Sequence, residues 1–132
     1  MEQALELDPQ NIRAAAQLAV LYLDQKEINK SEAVLVRSLS IDPDHRSSLY
    51  NLAVIYNHKQ LYSKALPLLN RLVRLYPDHI NGRQLLGDCF MWLHQVEEAE
   101  RVYREVLTQH PNHVPALHNL GKYDKLLMGI AI

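Results

Sequence analysis

A chain of 132 residues with 48% hydrophobic and 22% charged residues has the composition of a folded globular protein, which excludes a disordered polar segment. Its formal net charge of -1 provides no long-range field to attract polyanions, so we expect no nucleic-acid ligand. The single cysteine, Cys89, excludes an internal disulfide and a thiolate metal cage, and we expect its thiol to be buried and unreactive.

The first eleven residues carry the end of an apolar helical pattern, with Ala4, Leu5 and Leu7 before Pro9. We expect residues 1–11 to be the end of a second helix whose hairpin partner is missing, so that the chain is either a piece of a longer array or a naturally truncated one. The start has no signal-peptide pattern, and no apolar run is long enough to span a membrane. These features predict a cytoplasmic protein without direct membrane insertion.

Three pairs of helices are predicted next, because apolar residues recur at intervals of three and four. The predicted pairs are Ile12–Asp24 with Ile28–Ile41, Arg46–His58 with Ser63–Leu75, and Ile80–Leu93 with Val96–Gln109. In the second pair we expect Ser63 to cap its helix and Pro67 to bend that helix without ending it. In the third pair, the arginines Arg101 and Arg104 are expected to pair with glutamates four residues earlier, Glu97 and Glu100.

One further helix is predicted over residues 114–128, with Pro115 at its first position, where the missing N–H is harmless. We expect Leu117 and Leu120 to cover the exposed face of the third pair. Residues 129–132 form an apolar tail. Self-association through the apolar ends, Ala4–Leu7 and Leu126–Ile132, is one alternative for the role of this tail.

The helix pairs repeat at a constant interval, which is marked by the equally spaced prolines Pro9, Pro43, Pro77 and Pro111. Such a period indicates stacked repeat units, here 12–45, 46–79 and 80–113. Corresponding positions keep their character: the seventh is Leu18, Leu52, Leu86 and Leu120; the eighth is Ala19, Ala53, Gly87 and Gly121; the eleventh is Tyr22, Tyr56 and Phe90; the twentieth is Ser31, Ala65 and Ala99; the twenty-fourth is Leu35, Leu69 and Tyr103.

This pattern resembles the tetratricopeptide repeat family, whose repeat unit has the same length and places large, small, aromatic and proline residues in the same order. The resemblance implies an all-α fold, a right-handed α-solenoid of antiparallel helix hairpins. In such a stack each hairpin is stabilised by its neighbours, and about three repeats are needed. The sequence departs from the family pattern at the fourth position, which holds Arg83, and at the twenty-seventh, which holds Leu72.

No constellation for catalysis or metal binding is predicted. His45, His79 and His113 occupy one turn position in successive units, too far apart to converge on one metal ion. No Ser or Cys is placed beside a base, and there is no glycine-rich phosphate loop. We therefore expect a protein that is not an enzyme and has no cofactor.

The family resemblance implies that the first helix of each unit lines a concave groove for a protein or peptide ligand. The candidate groove residues are Gln17, Val20, Tyr50, Asn51, Val54, Asn57, Gln84, Asp88, Met91, Trp92, His118 and Asn119. Exposed Trp and Tyr residues commonly anchor protein contacts, although either could instead pack between repeats.

Two ligand modes of the family can be compared with these residues. The clamp for a peptide's C-terminal carboxylate needs Lys and Asn at the fifth and ninth positions, where this chain has Ala16 and Val20 or Tyr50 and Val54, so it is expected to be absent. An asparagine ladder uses the sixth position, which holds Gln17, Asn51, Leu85 and Asn119. An amide can donate to and accept from a peptide backbone, but these amides could equally bond neighbouring helices.

The leading prediction is a non-catalytic protein-interaction module that binds an extended peptide or helix of a partner in its groove. One alternative is an architectural or self-associating segment of a larger scaffold, or the arm of a larger enzyme. Another is RNA binding, as in the related pentatricopeptide repeat. That family's longer period and its basic groove both argue against RNA.

Overall fold

The computed structural model describes the backbone of residues 12–127 and the side chains of residues 12–121. The expected end of a preceding helix and the apolar tail therefore lie outside the described residues. Seven helices form the described part of the chain, in which there is no strand. They are α1 (Ile12–Asp24), α2 (Ile28–Ile41), α3 (Arg46–His58), α4 (Tyr62–Leu75), α5 (Ile80–Trp92), α6 (Val96–Gln109) and α7 (Val114–Leu127). The described helix ends lie within one residue of the predicted ones.

Consecutive helices form three antiparallel hairpins, α1 with α2, α3 with α4 and α5 with α6. The second helix of each hairpin packs on the first helix of the next element, and α7 packs on α6. The first helices also contact one another directly, α1 with α3 and α3 with α5. The fold is the predicted all-α, right-handed solenoid, and α1, α3, α5 and α7 form what we call its inner face.

The turn inside each hairpin has the same backbone geometry. In the first turn, the N–H of Glu27 donates to the carbonyl of Tyr22 at 2.8 Å and that of Lys26 donates to Leu23 at 3.0 Å. This paired bonding is a Schellman motif, which requires a left-handed residue just after the helix. Lys26, Gln60 and His94 occupy that position with φ angles of 62°, 63° and 61°, although none is glycine.

The turns between hairpins are closed by the histidines that recur once in every repeat. His79 Nδ1 accepts a hydrogen bond from the backbone N–H of Gly82 at 2.9 Å and so caps α5. His45, at the corresponding start of α3, lies with its Nδ1 2.8 Å from Ser48 Oγ. These contacts give the recurring histidine a structural role that the sequence indicated only as a turn position.

The same core contact recurs in every hairpin: a small residue on the first helix packs against a large residue on the second. Ala19 and Ala53 are fully buried, as are Leu35 and Leu69 one unit apart. At the third hairpin Gly87 replaces alanine and the buried ring of Tyr103 replaces leucine. Ala-with-Leu and Gly-with-Tyr are therefore alternative ways to fill one space.

Two local predictions need correction. Ser63 does not cap α4, since this helix begins at Tyr62 with Leu61 at its cap and no side-chain cap bond. The helix does continue through Pro67, as predicted. Arg101 pairs with glutamates three residues before and four after it, rather than with Glu97.

The two departures from the family pattern also have a structural explanation. Arg83 donates to the carbonyl of Pro77 at 2.8 Å and to Glu105 at 2.9 Å, so hydrogen bonds replace the usual apolar packing at the fourth position. Leu72 is fully buried, and its side chain lies beside Gly82, where an added methyl group would be 2.6 Å from Leu72 Cδ2. The large residue is accommodated because its neighbour has no side chain.

Candidate functional site

Two clefts open on the inner face, at the seams between successive first helices. The apolar seam lies where α1 meets α3 and has a volume of about 460 Å³. It is lined by Leu23, Lys26, Ile28, Val54, Ile55 and His58. Its wall is aliphatic, and the lysine and histidine supply the only polar side chains lining it.

The polar seam lies one repeat further along, between α3, α5 and α7, and has a volume of about 490 Å³. It is lined by Asn57, Asp88, Met91, Trp92, His94, Tyr103 and Asn119. Five of these seven were candidate groove residues from the sequence, so the structure brings much of the predicted set together.

A hydrogen-bond network fixes the floor of the polar seam around one carboxylate oxygen. Asp88 Oδ1 accepts from Tyr103 Oη at 2.6 Å, from Asn119 Nδ2 at 2.8 Å and from Gln84 Nε2 at 3.1 Å. Burial raises the pKa of Tyr103, and its hydrogen bond to Asp88 raises it further, so the phenol remains a donor. Helices α5, α6 and α7 are thus tied together at this floor.

The same network orients the amides that face the seam. Asn119 uses its nitrogen toward Asp88 and also approaches Tyr103 Oη at 3.3 Å, which leaves its carbonyl oxygen as the acceptor available to a ligand. Asn57 directs its carbonyl oxygen toward Cys89 Sγ at 3.7 Å, so its NH₂ group is the donor on the other wall. The two amides therefore present one acceptor and one donor, beside the carboxylate of Asp88 and the exposed ring of His94.

This arrangement bears on the expected asparagine ladder. The nitrogen of Asn119 donates to Asp88 on a neighbouring helix. This NH₂ group is therefore used within the protein rather than in a ladder that binds a peptide backbone. Asn51 is half-buried and has no side-chain hydrogen bond within the described part of the chain. Gln17 is exposed and Leu85 is half-buried, so only Asn51 and Gln17 keep both amide groups available.

The two aromatic candidates differ in environment. Trp92 is 63% exposed and stacks on Tyr62, with ring centroids 5.7 Å apart and planes 3° from parallel. Tyr50 is half-buried against the core, with its ring 4.9 Å from that of His79. Trp92 is consequently the aromatic surface that a ligand can reach, whereas Tyr50 also supports the fold.

The remaining candidates surround the two seams. Gln17, Val20 and His118 are exposed on the inner face, and Val54 lines the apolar seam. The sequence analysis missed Tyr103 and His94 as groove residues. Tyr103 could have been recognised because it stands where Leu35 and Leu69 stand, so its hydroxyl extends beyond the space that leucine fills.

Other kinds of site are poorly supported by the described residues. No group of three or more His, Cys, Asp or Glu side chains that could hold a metal ion occurs among them. Cys89 is buried as predicted, and burial raises the pKa of its thiol to about 12, with Asp88 adding to the shift. Across the same part of the chain, every helix is too short or too polar to cross a bilayer.

Comparisons with known proteins agree with this architecture. The family model for the tetratricopeptide repeat matches residues 1–54 and 56–122. No curated protein matches the chain significantly in sequence. The first TPR of Spaghetti (RPAP3), solved bound to the HSP90 peptide SRMEEVD, has a TM-score of 0.85 at 22% identity, covering 92% of this chain and 96% of that one.

Two further solved structures have the same fold. The first TPR domain of human RPAP3 has a TM-score of 0.82 at 21% identity and covers 92% of this chain and 96% of that one. MamA from AMB-1 has a TM-score of 0.81 at 25% identity and covers 97% of this chain and 72% of that one. Similarity at these identities concerns the fold rather than the ligand.

Proposed function

Because the chain belongs to the tetratricopeptide repeat family, we propose that it is a non-catalytic protein-interaction module that holds an extended segment of a partner protein on its concave inner face. The repeat units of this module are 12–45, 46–79 and 80–113. The observation that carries the proposal is the pair of seams on one face, with an exposed tryptophan beside a fixed set of hydrogen-bonding groups.

The chemistry of the groove suits a polypeptide better than a small charged metabolite. An apolar seam can take an aliphatic side chain, while the amides of Asn57 and Asn119 can bond a backbone or side-chain amide. Trp92 supplies a rigid apolar surface at the edge of the polar seam, the kind of residue that dominates binding energy in interfaces.

A structure of the same fold holds the HSP90 peptide SRMEEVD, which supports peptide binding as a use of this architecture. The acidic end of such a peptide is a poor match for this groove. The fifth and ninth positions hold Ala16, Val20, Tyr50 and Val54 in the first two units, and the ninth position of the third unit is the anion Asp88. We therefore propose a partner segment that is not recognised through a C-terminal carboxylate.

The proposal is tested by selecting peptides from a phage-displayed library of unstructured dodecapeptides on the immobilised protein. Synthetic versions of the enriched peptides are then measured by fluorescence anisotropy. Trp92→Ala should weaken their binding by about 10-fold or more, because hot-spot aromatics contribute about 2 kcal/mol or more. Circular dichroism should show unchanged helicity, since Trp92 is mostly exposed.

Val36→Ala is the matched control, because Val36 is an exposed apolar residue on α2, outside the inner face. It should leave peptide binding unchanged. If no peptide is enriched, or if Trp92→Ala and Val36→Ala have the same effect, the groove assignment is wrong. Tyr50→Ala is a poorer probe than the sequence suggested, since Tyr50 packs against the core.

An architectural role is the second candidate, and the outer face of α7 favours it. Val114 is 70% exposed and Leu117 is 48% exposed, so Leu117 does not cover the third pair as expected, whereas Ala15 and Leu49 at the same repeat position are buried. Sedimentation velocity distinguishes the two functions. A monomer at high concentration supports the groove, whereas self-association that Leu117→Asp abolishes supports the architectural role.

A further inference from the structure

The two seams share three repeat positions, and at two of them an aliphatic residue in one seam corresponds to a polar residue in the other. Leu23 in the apolar seam corresponds to Asn57 in the polar seam, one repeat later. Val54 corresponds in the same way to Asp88. A ligand that lies along the inner face therefore meets an aliphatic wall at one seam and hydrogen-bonding groups at the next.

The groups of the polar seam define what they can bind. The carbonyl oxygen of Asn119 is an acceptor and the NH₂ group of Asn57 is a donor, because their other ends are used by Asp88 and Cys89. A carboxamide offers one donor group and one acceptor, so it satisfies both walls at once. A carboxylate offers acceptors only, so it would leave the oxygen of Asn119 unpaired and would lie beside the anion Asp88. An ammonium group offers donors only and would leave the NH₂ group of Asn57 unpaired, although Asp88 attracts it.

The distance between the seams is set by the packing of the first helices. Packed helix axes lie roughly 8–10 Å apart, and α1, α3 and α5 contact one another in sequence. An extended chain advances about 3.3 Å per residue. One seam-to-seam step therefore corresponds to about three residues of an extended ligand.

We propose that the groove selects an extended peptide segment in which an aliphatic side chain and a carboxamide side chain, Asn or Gln, lie about three residues apart. The aliphatic side chain occupies the apolar seam, and the carboxamide lies between Asn57 and Asn119. This specificity rests on the proposed function, since it assigns the ligand chemistry of the same groove.

The probe is a set of synthetic nonapeptides without tryptophan, built from Ser and Ala. One series has Leu at position 3 and Gln, Asn, Glu, Lys, Leu or Ala at position 6, and the second series exchanges the two positions. Trp92 is the only tryptophan of the chain and lines the polar seam, so its fluorescence reports binding directly. In one of the series, Gln or Asn should bind at least about 10-fold more tightly than Glu or Leu, and also more tightly than Lys.

Exchange of corresponding residues between the seams provides the matched variants. Asn57→Leu gives the polar seam the residue that the apolar seam has at Leu23, so the preference should move from an amide to an aliphatic side chain. Leu23→Asn should reduce the preference for the fixed Leu by about 10-fold. Asn119→Ala should abolish the preference for an amide side chain. If thermal unfolding shows that Asn57→Leu is not folded, Asn119→Ala replaces it as the test.

The outcomes separate the specificity from the underlying function. If the peptides bind, and the anisotropy of labelled peptides shows that Trp92→Ala abolishes this binding, but amide and non-amide peptides bind equally, the inferred specificity is wrong and the groove function stands. If the exchanged variants keep the parent preferences, the assignment of the two seams is also wrong. If neither the nonapeptides nor the selected dodecapeptides bind, the proposed function itself is rejected.

Discussion

Replacing Gly87 by alanine should destabilise the protein, although alanine is the better helix former. A methyl group at Gly87 would lie 2.8 Å from Cδ1 and 3.0 Å from Cζ of Tyr103, and still closer to Cε1. Carbon atoms in contact are about 3.5–4.0 Å apart, so the ring or its helix must move by roughly 1 Å. The ring of Tyr103 is fully buried and its hydroxyl is bonded to Asp88 at 2.6 Å, so it cannot move freely.

The expected magnitude follows from three terms. Overpacking costs about 1–3 kcal/mol, and weakening a hydrogen bond to a charged group costs up to about 1.5–3 kcal/mol. Replacing Gly by Ala within a helix stabilises the folded state by about 1 kcal/mol through the higher helix propensity of Ala. We therefore expect Gly87→Ala to lower the free energy of unfolding by about 1.5–5 kcal/mol, measured by urea denaturation with circular dichroism at 222 nm.

The chain supplies its own matched control at the same repeat position. A methyl group at Gly121 would meet nothing within 4 Å, so Gly121→Ala should raise the free energy of unfolding by up to about 1 kcal/mol. Tyr103→Leu should rescue Gly87→Ala, because Ala53 already packs with Leu69. The packing explanation is refuted if Gly87→Ala is neutral, or if the double-mutant cycle shows no coupling between Gly87 and Tyr103.

Three further predictions concern the turns and an ion pair. Gln60→Gly should raise the free energy of unfolding by about 0.5–1 kcal/mol, since Gln60 has a left-handed backbone conformation that glycine adopts without strain. An unchanged midpoint in urea denaturation would contradict this. Burial, and then the charge of Arg46, lower the pKa of His79 below 6.5, so the stability that its neutral ring contributes should be lost as pH falls below 6.5. A non-titrating cap, His79→Asn, should lose less stability than the parent between pH 7 and pH 5, and equal losses would exclude this role. Arg83→Ala should lower the free energy of unfolding by about 1–2 kcal/mol, because Arg83 is mostly buried. Arg101→Ala should lower it by no more than about 0.5 kcal/mol, because Arg101 is exposed. Similar values for the two variants would contradict this reasoning.

The helices could be predicted from the sequence because the repeat tests each boundary several times. The spacing of apolar residues and the proline at the end of every repeat indicate the same helix boundaries in each successive unit. An error in one predicted boundary is therefore limited by the corresponding boundaries in the other units. Ser63 shows the limit of local reasoning. A capping residue was sought among Ser and Thr, but α4 begins at Tyr62 because the preceding Schellman turn fixes where the next helix can start.

The groove residues could be placed on the inner face, but their interactions could not be predicted. The sequence leaves Asn119 two roles, bonding a ligand or a neighbouring helix, and only the positions of Asp88 and Tyr103 decide which atoms remain available. Trp92 could have packed into a repeat seam, yet the tight turn before α6 leaves it exposed and stacked on Tyr62. The available atoms of Asn119 and the exposure of Trp92 depend on contacts between repeats, and the residue pattern of a single repeat unit does not specify those contacts.

The location of Asn119 on the last described helix has a consequence for affinity. Asn119 belongs to α7 whereas Asp88 belongs to α5, so the acceptor wall of the polar seam is present only while α7 stays packed on α6. Every transient departure of α7 would remove one wall of the polar seam, so the apparent dissociation constant would rise as the docked fraction falls. A bound segment that contacts Asn119 would conversely hold α7 in place and so slow amide hydrogen exchange in this helix.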